Sequence, residues 1–225
     1  VSTTAVLDPE SIPERKPFTA TLWLFWIVAA VLDESLHLVA LARNARLLAH
    51  ENTVDDAFVA AIQFVELYAL IVPITATAQW LVLRRALPRL SGGLWLAAAG
   101  GGAGATLFIF LASASWPGAP AWLLACVASA AVAAAIASLF ALRPAVGRWP
   151  TAFIVASVLA AAVTAPLYAV ADASFQLLPP QWVGGALDAQ TLLAIRVPLR
   201  LAAGALAGAL TGAGLRRLCR PTARM

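Results

Sequence analysis

The chain has 225 residues, 62% hydrophobic and 12% charged, with a mean hydropathy of +0.86. That balance lies well beyond the apolar share of a soluble domain and points to an all-α, polytopic integral membrane protein whose first partner is the lipid bilayer. The net charge of +4 does not indicate a nucleic-acid partner, because the arginines stand at the ends of apolar segments and not on one aromatic-interleaved face.

Residues 1–17 (VSTTAVLDPESIPERKP) are polar, and the first apolar run is followed by acids in place of a small-residue cleavage site, so a retained cytoplasmic tail is expected. A bilayer core of roughly 30 Å needs about 20 apolar helical residues per crossing. Six segments qualify, near 18–42, 57–83, 93–115, 119–142, 151–174 and 191–215, giving a six-helix transmembrane domain over 18–215 and a basic tail at 216–225. Between the last two, FQLLPPQWVGGALDAQ (175–190) carries paired prolines and paired glycines that suit a loop or a short re-entrant piece.

The first span contains AAVLDESLHLVALA (29–42), which places Asp33, Glu34 and His37 in one wedge of the helix, since positions i, i+3 and i+4 share a face. Asp33 sits about nine residues inside the span, or about 13 Å at 1.5 Å per residue, too deep for a loop carboxylate. The segment RNARLLAHENTVDD (43–56) extends the helix into water, and Thr53 with Asp56 forms a capping-box-like start to the second span. There Gln63, Glu66, Pro73 and Thr77 share a face, and Pro73 frees a backbone carbonyl.

The second span ends in AQWLVLRRALPR (78–89), followed by the glycine-rich LWLAAAGGGAG. This combination resembles small polytopic bacterial membrane proteins that carry a Gln-Trp-Leu-Val-Leu-Arg segment at a helix end. The resemblance covers about a fifth of the chain; it implies a multi-span fold and no activity. Trp80 and Arg84 also read as interface anchors. LRRALPR (83–89) matches LRPAVGR (142–148) at Leu, Arg and the final Arg, which suits repeated helical hairpins, although apolar-to-basic boundaries resemble one another in any membrane protein.

Gly100 and Gly104 in the third span read as packing positions, as do Gly204, Gly208 and Gly212, spaced by four on the sixth span in a small-x-x-x-small pattern. Cys126 and Cys219 lie in different contexts and suggest neither a disulfide framework nor a metal site. With the N-terminus inside, eleven of the fifteen basic residues fall on the cytoplasmic side and eight of the eleven acids on the outer side or in outer halves of spans. Both termini are therefore expected in the cytoplasm of a bacterial inner membrane.

Arg196 and Arg200 stand at i and i+4 on the sixth span at a depth similar to Asp33 and Glu66. An isolated charge there costs roughly 2.5–3.5 kcal/mol even on a lenient insertion scale. The expectation is that Asp33, Glu34 and Glu66 face Arg196 and Arg200, with His37 and Asp172 nearer the outer surface. The cluster is either an ion-pair network that locks helices together or an outward-opening pocket for a small solute or ion.

Enzyme chemistry finds little support. Glu34-x-x-His37 has the spacing of a di-metal bundle but lacks a second such motif. The sole lysine, Lys16, precedes the first span and leaves no intramembrane Schiff base, and neither a nucleophile elbow nor a Walker loop is present. No cofactor or metal is implied. The sequence favours a non-enzymatic accessory or assembly subunit, contacting other membrane subunits or further copies of itself. The alternative is a solute-binding or transport protein, similar in span number and size to the substrate-binding components of energy-coupling-factor vitamin transporters.

Overall fold

The computed structural model describes residues 16–50, 66–113, 119–176 and 189–220. Among these residues the chain forms six helices. Helix α1 spans Ala20–His50; α2 spans Val72–Ala86 and continues a π-helical turn, Leu67–Ile71; α3 spans Gly92–Ser113. Helix α4 spans Ala119–Ala137 and runs through a second π-helical turn, Ser138–Leu142, into a closing turn at Arg143–Val146. Helices α5 (Thr151–Gln176) and α6 (Ala189–Leu218) complete the bundle. A proline follows each π-helical turn by two residues, Pro73 and Pro144. A proline offers no N–H to the preceding turn and crowds its carbonyl, and a widened turn relieves that conflict. In α2 the Thr75 hydroxyl donates to the Ile71 carbonyl at 2.9 Å, at the same junction.

Five helices are long and apolar enough to cross a bilayer: stretches of α1, α3, the extended α4, α5 and α6. The beginning of the second sequence segment, 57–65, lies outside the described residues, as do most of 175–190 and both terminal tails. Those five stretches are apolar nearly all round, the signature of a membrane segment. What distinguishes their faces is side-chain size. Leu24, Phe25 and Val28 on α1, and Val155, Leu159 and Val163 on α5, point outward. Inward positions are dominated by alanine, glycine and threonine.

The helices form a closed ring in chain order, each packing on its sequence neighbours and α6 returning to pack on α1. The returning contact is glycine-dependent. A Cβ on Gly208 would lie 2.9 Å from the Ile27 Cα and 2.9 Å from the Ala30 Cβ, and one on Gly212 would lie 2.5 Å from the Trp23 ring. Without those methyl groups the two backbones approach closely, as small-x-x-x-small faces permit. Two indole N–H groups stitch the seam, Trp23 donating to the Ala209 carbonyl at 3.0 Å and Trp26 to the Thr211 hydroxyl at 2.9 Å. Gly214 plays the same part toward α5, where an added Cβ would lie 2.6 Å from that of Ala156. On α3 the close approach is at Gly102, where a Cβ would lie 3.1 Å from that of Ala133 on α4, whereas a Cβ on Gly100 would meet nothing within 4 Å.

The solid core sits at the end of the ring that carries the arginines. Leu83, Leu87, Leu142, Val146, Leu215 and Cys219 are almost fully buried there, with Phe18 and Leu22 of the entering chain. Gly147 (φ +68°) closes the Arg143–Val146 turn in the left-handed region that glycine tolerates. Arg148 then donates to the Leu218 carbonyl at 2.6 Å, satisfying an orphan acceptor at the end of α6. Arg84 lies over the Trp80 ring at 4.6 Å and Arg143 over Trp149 at 4.8 Å, cation–π contacts that fix two basic groups at this end.

We expect Gly208→Leu to destabilise the protein by about 1–3 kcal/mol through overpacking of α1 against α6. Gly100→Ala should be neutral or stabilising by up to about 1 kcal/mol, since it relieves helix entropy without meeting a neighbour. Reversible unfolding in mixed micelles measures both; equal losses would show that the seam does not govern stability.

Candidate functional site

Beyond the solid core the ring is hollow. A cavity of about 410 Å³ runs along the bundle interior, and all six helices contribute to its wall. Such a volume falls in the range of small-molecule pockets, roughly 300–1,000 Å³. One side toward the core is aromatic, with Trp26, Trp95 and Phe153; farther along α1 and α5 stand Asp33, Glu34 and Tyr168. Between them the lining is mostly alanine and glycine, with Gln79, Ser157 and Thr164 among the polar exceptions.

Local geometry places the charged groups. Asp33 and Glu34 are consecutive on α1 and diverge by about 100° around the helix axis, which sends them to different neighbours. Glu34 leans toward α6, where Gly204 leaves room: a Cβ there would lie 2.6 Å from the Glu34 Cγ. Its two oxygens are then divided between helices. Tyr168 of α5 donates its hydroxyl to Oε1, and the Arg200 guanidinium of α6 pairs with Oε2 at 3.6 Å. Arg200 also lies 5.2 Å from the centre of the Tyr168 ring. Glu34, Tyr168 and Arg200 thus tie α1, α5 and α6 together where the glycine seam ends.

Asp33 has other company. Its carboxylate is 3.8 Å from His37 Nδ1, one turn along α1, and lies beside the Thr75 hydroxyl of α2. His37 Nδ1–H donates to the Asp33 backbone carbonyl at 2.9 Å, which fixes the ring against its own helix. Among the described residues no arginine belongs to this set. The Asp33 side chain keeps 36% of its surface accessible and borders the cavity.

Of the other residues singled out in the sequence, Glu66 and Arg196 are buried, 6% and 8% exposed, yet neither borders the cavity. Gln63 lies outside the described residues, and Asp172 stands in the last turns of α5, where no side chain is described. Gly104 lies on α3, two residues beyond the Gly102 contact. Among the described residues no group of three or more histidine, cysteine, aspartate or glutamate side chains is arranged to hold a metal ion.

Tyr168 escaped the sequence reading, though it carried a signal: it is a phenol in an otherwise apolar run, and a buried tyrosine hydroxyl normally finds a partner. The cavity walls carry no such signal. Alanine and glycine spaced at three and four residues look the same whether they face a neighbour or a void.

Fold and site together define an integral membrane helical protein with a carboxylate-bearing internal chamber. Compared with known protein families, curated proteins and solved structures, the chain matches none.

Because Glu34 loses its charge partner while staying inside the bundle, Arg200→Met should cost about 3 kcal/mol. Tyr168→Phe should cost about 1.5–3 kcal/mol, the range for a hydrogen bond to a charged group. The double change Arg200→Met with Glu34→Gln should recover much of the single loss, since no uncompensated carboxylate remains. Thermal unfolding of these three variants and of Glu34→Gln alone, in one detergent, tests this; additive losses for Arg200→Met and Glu34→Gln would exclude the coupling.

Proposed function

We propose that the protein is a non-enzymatic membrane protein that binds, and in transport would pass, a small solute held in the central chamber. The observation that carries this reading is the chamber itself: six helices close around it, and two intramembrane carboxylates reach its wall. Ionisable groups at membrane depth are rare, and those facing a cavity commonly mark a solute or ion path. The positive-inside rule puts the arginine-bearing end in the cytoplasm. Asp33, Glu34 and Tyr168 then lie in the outer half of the bundle, so that a solute would enter from outside.

One support for an accessory subunit, beside small size and the lack of a catalytic constellation, would be a glycine face on α6 open to another chain. That face is occupied within the chain by Ile27, Ala30 and Trp23 of α1, which leaves no room on it for another subunit. The balance moves accordingly toward the chamber.

Native mass spectrometry of the protein purified gently from its host membranes tests the proposal. The expected result is a chain, or a homo-oligomer, carrying a small bound mass that is absent from Ala103→Leu and Ala161→Leu, both of which fill the chamber. Leu24→Ala, on the outward face, should retain it. A stoichiometric mass of other membrane subunits, with no small molecule in any variant, would restore the subunit reading.

A further inference from the structure

We infer that the chamber takes a small amphipathic organic cation, its charged nitrogen at Asp33 and its apolar body against Trp26, Trp95 and Phe153, a reading that rests on the chamber function proposed above. Three observations lead there, and the first is an imbalance between the two carboxylates. Glu34 has a guanidinium on one oxygen and a phenol on the other. Among the described residues Asp33 has His37 and Thr75 beside its carboxylate, and both have other commitments. The His37 Nδ1 proton goes to the Asp33 backbone carbonyl, and the single Thr75 proton is contested by the Ile71 carbonyl at 2.9 Å. A carboxylate in a low-dielectric interior gains most from a positive group at contact distance. Asp33 lines the cavity, and part of its side-chain surface remains accessible.

The second observation is how the donors elsewhere on the wall are disposed: the indole N–H of Trp95, at the aromatic end, has no hydrogen-bond partner among the described residues, whereas the hydroxyls are taken. Ser157 donates to the Phe153 carbonyl, Thr164 to Ala160 and Thr211 to Ala207, at 2.8 to 2.9 Å, so each hydroxyl proton is committed to its own helix. The indole N–H of Trp26 is taken by Thr211, and Arg200 is engaged with Glu34. An anion at the Asp33 end would meet two carboxylates, with the free Trp95 N–H at the opposite end of the chamber. A sugar-like solute would find too few partners for its hydroxyls. Charge disfavours the first class and the committed hydroxyls disfavour the second.

The third is the aromatic group at the opposite end. Trp26 and Trp95 meet edge to face at 6.3 Å between ring centres, and Phe153 joins them on the wall. Trp26 precedes Asp33 by seven residues, which sets the charge about 10 Å from the aromatic end along α1. An eight-carbon alkyl chain with a terminal amine spans such a distance, and the lining between is mostly alanine and glycine, with the Ser157 and Thr164 hydroxyls turned to their own helix.

The experiment compares octylamine, 1-octanol and octanoate, three heads on one chain, against the protein in nanodiscs of zwitterionic lipid, with empty nanodiscs correcting for partition into lipid. Octylamine should bind and raise the unfolding midpoint. Its affinity should fall at least about 30-fold in Asp33→Asn, as for truncation of one side of a buried charge pair. Asp33→Glu should keep binding, which guards against a folding defect in the amide variant. Ala103→Leu should abolish binding by occupying the chamber. Octylamine affinity unchanged in a folded Asp33→Asn, or octanol or octanoate binding as tightly as the amine, would overturn the assignment of a cation. If those probes remain sensitive to Ala103→Leu, the chamber reading survives that failure. Absence of binding by all three probes, with no effect of Ala103→Leu on any of them, would overturn both.

Discussion

The return of α6 onto α1 is the contact on which the rest of the architecture depends. A chain of six consecutive helical hairpin partners can lie as an open row or close into a ring, and only closure creates an interior. In lipid no hydrophobic force selects closure, because acyl chains solvate an outward leucine as well as a neighbouring helix does. Van der Waals contact and hydrogen bonds must decide, and both are concentrated at this seam. Gly204, Gly208 and Gly212 bring the backbones together, Trp23 and Trp26 donate across the gap, and the Glu34–Arg200 pair closes its far end. Arg200, Gly204, Gly208 and Gly212 are spaced by four, so a single face of α6 supplies both the close approach and the charge.

That arrangement accounts for an acid at membrane depth without appeal to function. Glu34 is tolerated because its two oxygens are met from two other helices and because Gly204 vacates the space its side chain crosses. The same explanation does not extend to Asp33, one residue away. Its partners lie on its own helix and on α2, and its side chain stays open to the cavity. Two adjacent carboxylates on one helix therefore divide into a structural member and one that remains accessible, which is how a cluster in the sequence resolves into distinct parts.

The sequence makes the helical membrane class legible because apolar runs of about 20 residues have few other uses. It also makes the depth of Asp33, Glu34 and Arg200 legible, by counting along helices of fixed rise. The ring order is not legible, since helices that are apolar all round carry no stripe to show which face meets which neighbour. The two carboxylates were equivalent at that level for the same reason: a wedge of one helix says nothing about whether α6 or α2 stands opposite. Tyr168 could have been suspected from its lone hydroxyl, but the assignment to Glu34 needs α5 and α6 to be neighbours, a contact between segments with no shared local pattern.

The division of the bundle into a solid end and a hollow end follows from where large side chains are placed. At the arginine-bearing end, leucines from α2, α4 and α6 fill the axis and tryptophans brace the loops. Farther along, the large apolar residues turn outward to lipid, and the axis is left to alanine and glycine. Small side chains give a helix close neighbours when two backbones converge, as at Gly208, and give a cavity when they do not. Close packing at the seam and an open chamber beside it thus come from one composition, read at two different separations. A cavity lined by methyl groups alone would stay dry and take up no polar matter. Asp33 at its margin changes that balance, because a carboxylate facing a cavity in a membrane interior is stabilised by whatever positive group can reach it.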